Sequence, residues 1–382
     1  MRSATPFGTP LDASRIHLAM DGEVFCWNQR RGIPRVYREV VPRLRDAAPD
    51  LDVSIAVQGV VRARGMDGWG VRLERVPGRT ASRRPWQFWN AVASMTNRRS
   101  ARRFWRDCRA DVYHTTHYGM PPVRGPLFCT VHDMIPELFP EDYDRLGGRA
   151  IRSGKRRAVE RAKVVLCVSE NTRRDLVRIL KVPEEKCHVV YNAAFTVEGG
   201  VPEAAATGGR ERPFLLYVGG CRVPYKNFDF VARCLASAEF SAFRELDLLV
   251  VGPEAPAGDA GGRPPRHVEV SSDAELAALY GACAALVMPS RYEGFGMPAL
   301  EALACGAPVA CSRAASLPEV GGDAVHYFDP ASPAEFKAAL RRALEEGRSA
   351  EAVAGRKAQA ARFSWDEAAR RFGQAERDCV GA

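Results

Sequence analysis

The sequence predicts an α/β protein built from two doubly wound domains. Three observations carry that prediction. The 382 residues suffice for two domains of ordinary size, each burying its own core. The order buried strand, glycine turn, helix opens twice, at residues 16–44 and again at residues 214–235. Between them, residues 193–213 are poor in large apolar side chains and rich in Ala, Gly, Glu and Pro, the composition of an interdomain linker.

Taken in order, residues 16–20 read as a first strand ended by Asp21 and Gly22, and Gly32 and Pro34 open a helix running to Leu44. Residues 52–57 read as the second strand. Residues 111–117 read as a strand ending in two histidines, and on a strand His114 and His117 point to opposite faces, which disfavours a shared metal. Residues 126–131 form a buried strand with His132 at its carboxyl end, where open α/β sheets place ligand contacts. Another strand spans 164–168, and Ser169 caps an arginine-rich helix to Leu180. Residues 189–191 close the first half.

The second half begins with a strand at 214–218, the glycine turn Gly219-Gly220, and a helix over 228–235. Arg222 and Lys226 lie four apart in the loop entering that helix and can converge on one diphosphate. Strands follow at 246–251, 267–270, 284–288, 308–311 and 324–328, with a helix over 274–280 capped from residues 271–273. Helical segments run from Pro333, and a last helix from Trp365 to Ala375.

The densest chemistry lies at residues 290–301, Ser-Arg-Tyr-Glu-Gly-Phe-Gly-Met-Pro-Ala-Leu-Glu. Gly294 and Gly296 permit a sharp turn and close approach to a ligand. Pro298 suits the first turn of a helix, whose unpaired N–H groups favour an anion. Glu293 and Glu301 bracket the turn, with seven residues between them. One carboxylate on a sugar, one on a ribose and phosphate between describes a nucleotide-sugar.

Composition narrows the class further. No run of about 18 apolar residues is present, so no transmembrane helix is expected. The polar, turn-rich N-terminus lacks a signal-peptide core. Eleven scattered cysteines without Cys-x-x-Cys spacing fit a reducing cytosol. The net charge of +9 is concentrated at residues 62–109, where thirteen arginines face Asp67, Glu74 and Asp107, with Trp69, Trp86, Phe88, Trp89, Phe104 and Trp105 interleaved. That segment reads as a solvated face on a variable loop and helix, or as a surface for an anionic acceptor or the anionic inner face of a membrane. No nucleic-acid-binding motif accompanies it, so no nucleic acid is expected as a partner.

The stretch at 290–301 resembles the Glu-x7-Glu signature of retaining glycosyltransferases of family 4 (group 1), which have the GT-B fold of two Rossmann-like domains facing a central cleft. The Thr-Val-His-Asp-Met-Ile of residues 130–135 is similar to the family segment whose His lies beside the donor sugar. The stretch from Tyr217 through Arg222 and Lys226 to Phe228 is similar to its diphosphate clamp. The resemblance runs from about residue 16 to residue 372 and is weakest over 58–109. Where the family often has a Gly-Gly pair near the donor diphosphate, this chain has Arg31 and Gly32, so one glycine remains.

The resemblance implies an acceptor-side domain over residues 1–195, a nucleotide-sugar domain over 196–362, and a terminal helix at 363–382 packing back on the first domain. It implies retaining, metal-independent transfer from a nucleoside diphosphate sugar to a hydroxyl of a glycan, lipid-linked or small-molecule acceptor, with no cofactor. His132, Glu293, Arg222 and Lys226 are the expected catalytic residues. Gly32, Gly219, Gly220, Gly294, Phe295, Gly296, Met297 and Glu301 join Arg222, Lys226 and Glu293 in donor binding. The stretches at 130–135 and 217–228 lean towards mannosyltransferases using a GDP-sugar. A UDP-sugar transferase, a phosphorylase-like or epimerase enzyme of the same fold, and a non-catalytic nucleotide-sugar-binding protein are the rivals. The Asp50/Asp52 and Asp142/Asp144 pairs lie in solvated, proline-flanked segments unlike a metal site.

Overall fold

The central strands are short apolar runs without alternation, as parallel strands covered on both faces require. The computed structural model describes residues 14–26, 32–58, 66, 68–76, 103–119, 123–143, 147–195, 212–256 and 264–381. In these, β1 (Ile16–Asp21), β2 (Leu51–Gln58), β3 (Arg72–Val76), β4 (Val112–Thr115), β5 (Leu127–Val131), β6 (Val164–Cys167) and β7 (Cys187–Val189) form one sheet in the order β3-β2-β1-β4-β5-β6-β7. A second sheet holds β8 (Phe214–Val218), β9 (Asp247–Val251), β10 (Arg266–His267), β11 (Ala285–Met288), β12 (Val309–Ser312) and β13 (His326–Phe328), in the order β10-β9-β8-β11-β12-β13. All pairings are parallel. The molecule is thus α/β with two GT-B-type sheets.

Strand order reverses between β1 and β4 in the first sheet and between β8 and β11 in the second. Such reversals open a crevice at the carboxyl ends of the strands. Residues just beyond β5 (His132, Asp133), β8 (Gly219) and β9 (Gly252) line one cleft of about 320 Å³ between the two halves. The C-terminal helix Trp365–Gly381 packs on the helix Ile33–Ala47, so the chain ends against the first sheet. Gly373 permits this approach, since a Cβ there would meet Ala48 Cβ at 2.7 Å. Arg377 adds a two-pronged hydrogen bond to Asp50, at 2.9 and 2.7 Å, and the Trp365 indole donates to Ala194 O at 2.9 Å.

Several elements differ from the sequence expectation, among them the helix Gly148–Arg161, which the sequence reading passed over. The strand β3 lies inside the basic segment that the composition assigned to loop and helix. An edge strand needs one apolar face only; Leu73 packs against the core while Arg72 pairs with Asp52 of β2. The strand β7 precedes the apolar run at 189–191, since pairing with β6 starts at Cys187. The strand β10 shrinks to two residues, and Val268 reaches the sheet through one backbone bond to Val250 O. The last helix runs six residues beyond Ala375, to Gly381, because its apolar stripe continues to the buried Cys379.

Candidate active site

The loop between β11 and the helix Met297–Ala304 is fixed by backbone geometry. Gly296 caps that helix with φ +103°, a left-handed conformation open to glycine, and Pro298 occupies its first turn. Gly294 answers a different need. A Cβ there would collide with the His132 carbonyl oxygen, so the bare Cα lets the second half press against the first. Hydroxyls then tie down the loop's carbonyls. Ser316 Oγ reaches Glu293 O at 2.9 Å and Phe295 O at 2.8 Å, and Ser312 donates to Ser290 O. From the other half, Ser169 Oγ and Thr172 Oγ1 reach Gly294 O at 2.7 and 3.1 Å. Each such bond contributes on the order of 1 kcal/mol, and together they hold Glu293 at the cleft. Ser169 was read as a helix cap, a role it keeps by accepting from Thr172 N–H, but no motif signalled the bonds of these hydroxyls to the loop, whose partners are distant in sequence.

Lys226 enters from the short 3₁₀ turn Pro224–Lys226. Asn227 follows it in the left-handed region, at φ +58°, with its amide donating to Pro289 O at 3.1 Å and Pro330 O at 3.0 Å. That clamp directs the lysine inward, where Nζ donates to Glu293 Oε1 at 2.7 Å. Lys226, Glu293 and Gly219 line the cleft together. Arg222 does not: its side chain is exposed, and its backbone N–H donates to Glu254 at 3.1 Å. Gly220 also lies off the cleft lining, facing Val223 and Glu254.

The first half supplies Gly32, His132 and Arg35. Gly32 caps the helix Ile33–Ala47 with φ +69° and lines the cleft. His132 is buried, with Nε2 3.4 Å from the Tyr37 hydroxyl, and desolvation pulls its pKa down to about 4. The imidazole is therefore neutral at physiological pH and offers hydrogen bonds rather than charge. The turn behind it rests on Lys155, fully buried, which donates to Asp133 O at 2.8 Å and to Glu137 Oε2 at 2.7 Å. Lys155 sits in the helix Gly148–Arg161, where a basic residue gave no sequence signal of this role.

Glu301 is also buried, and it is reached from the opposite domain. Arg35 Nη1 donates to its Oε1 at 2.5 Å, and the Tyr280 hydroxyl donates to Oε2 at 3.0 Å. Phe295, Gly296, Met297 and Glu301 all line the same cleft as Glu293. The result is a pocket with a lysine–glutamate pair, a helix N-terminus and a second carboxylate on one wall, and a neutral histidine on the other. A diphosphate between two hydroxyl-bearing rings matches those groups in kind.

The other titratable candidates lie elsewhere. His114 is buried, stacked on Phe128 at 4.2 Å and 3.1 Å from Thr130 Oγ1, while His117 lies beyond the end of β4, 3.5 Å from Glu23. Asp50 pairs with Arg377 and Asp52 with Arg72, remote from the cleft lining; Asp144 lies outside the described residues. Most of the basic segment, including Trp86, Phe88, Trp89, Arg98, Arg99 and Arg102, also lies outside them. At its end Phe104 and Trp105 are core residues packed with Tyr113 and Leu127.

Comparison with known families settles the class. Residues 30–196 match Glycosyltransferase Family 4 and residues 212–346 match Glycosyl transferases group 1, together covering well over half of the chain. The chain belongs to this glycosyltransferase family. This glycosyltransferase is 28% identical to O-antigen chain mannosyltransferase B of Escherichia coli over 283 residues, 68% of this chain and 72% of that protein. It is 29% identical to a D-inositol 3-phosphate glycosyltransferase of Xylanimonas cellulosilytica over 306 residues, 68% and 70% of the two chains. Its fold matches sucrose-phosphate synthase from Thermosynechococcus elongatus with a TM-score of 0.69 at 18% identity, covering 95% of this chain and 99% of that one. It also matches Anabaena HepE in complex with UDP-glucose, with a TM-score of 0.67 at 15% identity, covering 95% and 100%. Among the described residues no helix of this glycosyltransferase is long and apolar enough to cross a membrane.

Proposed function

We propose that this glycosyltransferase moves a sugar with retention from a nucleoside diphosphate sugar, GDP-mannose first, to a hydroxyl of a glycan, lipid-linked or small-molecule acceptor. The observation that carries the reading is the convergence of Glu293, Lys226, Glu301 and the N-terminus of the helix Met297–Ala304 in one interdomain cleft. The relative named as a mannosyltransferase supports mannose as the first donor to try.

In this reading the ribose hydroxyls donate to Glu301. The diphosphate takes the remaining N–H donors of Lys226 and the N–H of Met297 at the helix start, with Gly32 and Gly219 leaving room for its oxygens. Glu293 and the neutral His132 contact the sugar. The bond from the anomeric carbon to the diphosphate oxygen breaks, and the acceptor oxygen bonds to that carbon on the same face. The acceptor's proton passes to the departing diphosphate oxygen, so no protein carboxylate has to act as base. Lys226 and the helix N-terminus stabilise the charge that grows on the leaving group, which makes the reaction independent of added metal.

A panel of GDP-, UDP- and ADP-sugars offered with and without acceptors tests this reading. Turnover is expected with GDP-mannose and to survive EDTA. Turnover with UDP-glucose alone would replace the donor, and binding of every donor without transfer or hydrolysis would turn the protein into a binding module.

A further inference from the structure

Arg35 joins the two halves at the donor cleft. It sits in the first turn of the helix Ile33–Ala47 and is 266 residues from Glu301. Its guanidinium nonetheless donates to Glu301 Oε1 at 2.5 Å, and both side chains are about 5% exposed. Its second nitrogen reaches Asp273, the first residue of the helix Asp273–Ala282, and its Cζ lies 5.6 Å from the centre of the Phe195 ring. The same Arg35 lines the cleft beside Gly32 and Glu301.

A desolvated carboxylate held by a forked guanidinium has a fixed orientation and a secured negative charge. Tyr280, donating to its other oxygen at 3.0 Å, fixes the plane of the Glu301 carboxylate from within its own domain. We infer that Arg35 is a positioning residue for ribose recognition: from the first domain it orients the Glu301 carboxylate of the second, so that the donor's ribose is read only when the two domains are joined. This rests on the reading of Glu301 as the ribose contact. Arg35 does not touch reacting atoms, so its effect falls on recognition rather than on bond breaking.

The test compares GDP with its 2′- and 3′-deoxy analogues by calorimetry, with the UDP series in parallel. The full-length wild type, Glu301→Gln, Arg35→Ala and Arg35→Met are titrated. Arg35→Met keeps the apolar stem and carries the test where Arg35→Ala does not fold. The wild type is expected to prefer the ribose form over the weaker deoxy analogue by roughly tenfold, as a lost charged hydrogen bond implies. Glu301→Gln and the folded Arg35 variant are both expected to reduce that ratio to less than about threefold. A general loosening of the fold would weaken every ligand alike and leave the ratio unchanged, so an unchanged ratio in the Arg35 variant overturns the inference. If Glu301→Gln loses discrimination while Arg35→Met keeps it, Glu301 reads ribose without Arg35. If the wild type shows no discrimination, the ribose reading of Glu301 fails and the inference fails with it.

Discussion

At the scale of single residues, the two glutamates of the cleft should differ in what their loss removes. Glu301 is proposed to hold a ring that does not react, so its contribution is shared by ground and transition states. Glu293 is proposed to touch the sugar whose anomeric carbon changes bonding and charge. Glu301→Gln should therefore mainly raise the donor KM, and Glu293→Gln should mainly lower kcat, each by at least about tenfold. Steady-state kinetics with saturating acceptor decides the point, and the reverse pattern would mean the roles are exchanged. Glu293, Lys226 and His132 were legible in sequence because each sits in a short motif whose residue types and spacing are themselves the signal. Arg35, Asn227, Thr172 and Ser316 were not. Each acts through a partner that only folding brings near, and none carries a local pattern separating it from an ordinary surface or helix residue.

At the scale of elements, the C-terminal helix carries a buried defect. Glu376 is fully buried in Trp365–Gly381, and among the described residues neither carboxylate oxygen has a hydrogen-bond partner. Desolvation raises its pKa well above the ordinary carboxylate range, with Arg377 opposing and Asp50 reinforcing the shift. A carboxyl whose pKa is higher folded than unfolded contributes fully below the unfolded pKa, and its contribution is lost as pH rises through the folded one. At neutral pH the group therefore costs stability, by about 1–3 kcal/mol for a buried polar group left unpaired. Glu376→Met should raise the unfolding free energy at pH 7 by that order and flatten its fall between about pH 4.5 and 7. Urea unfolding across that range checks it; a variant less stable at pH 7 than the wild type would show that the carboxyl has a partner. The strands show a parallel contrast in legibility. β5, β6, β8 and β11 are continuous apolar runs, visible because both faces are covered. The edge strand β3 is not, since one neighbour and one packed face leave half its residues free to be polar, and the edge strand β10 was read but with its end misplaced.

At the scale of the molecule, the two halves are joined by contacts that also build the site. Gly294 lies against His132 O, Ser169 and Thr172 hold Gly294 O, and Arg35 reaches Glu301. Glu319 of the second half accepts from the N–H groups of Glu170 and Asn171, capping a helix of the first at 2.7 and 3.2 Å. The cleft and the apposition of the domains thus share residues, which is why neither half alone presents the full pocket. The two-domain architecture was readable because the strand, glycine turn and helix order repeats. The mutual orientation of the halves was not, because it depends on these few cross-cleft contacts.

The measurement that reaches the central claim most directly is the anomeric configuration of the product, read by NMR during transfer from an α-linked nucleoside diphosphate sugar in the presence of EDTA. The account predicts an α-linked product from the first turnover, because the departing diphosphate takes the acceptor's proton on the face it leaves while Lys226 and the helix N-terminus neutralise it. A β-linked product, or transfer that stops until a divalent metal is restored, would contradict it.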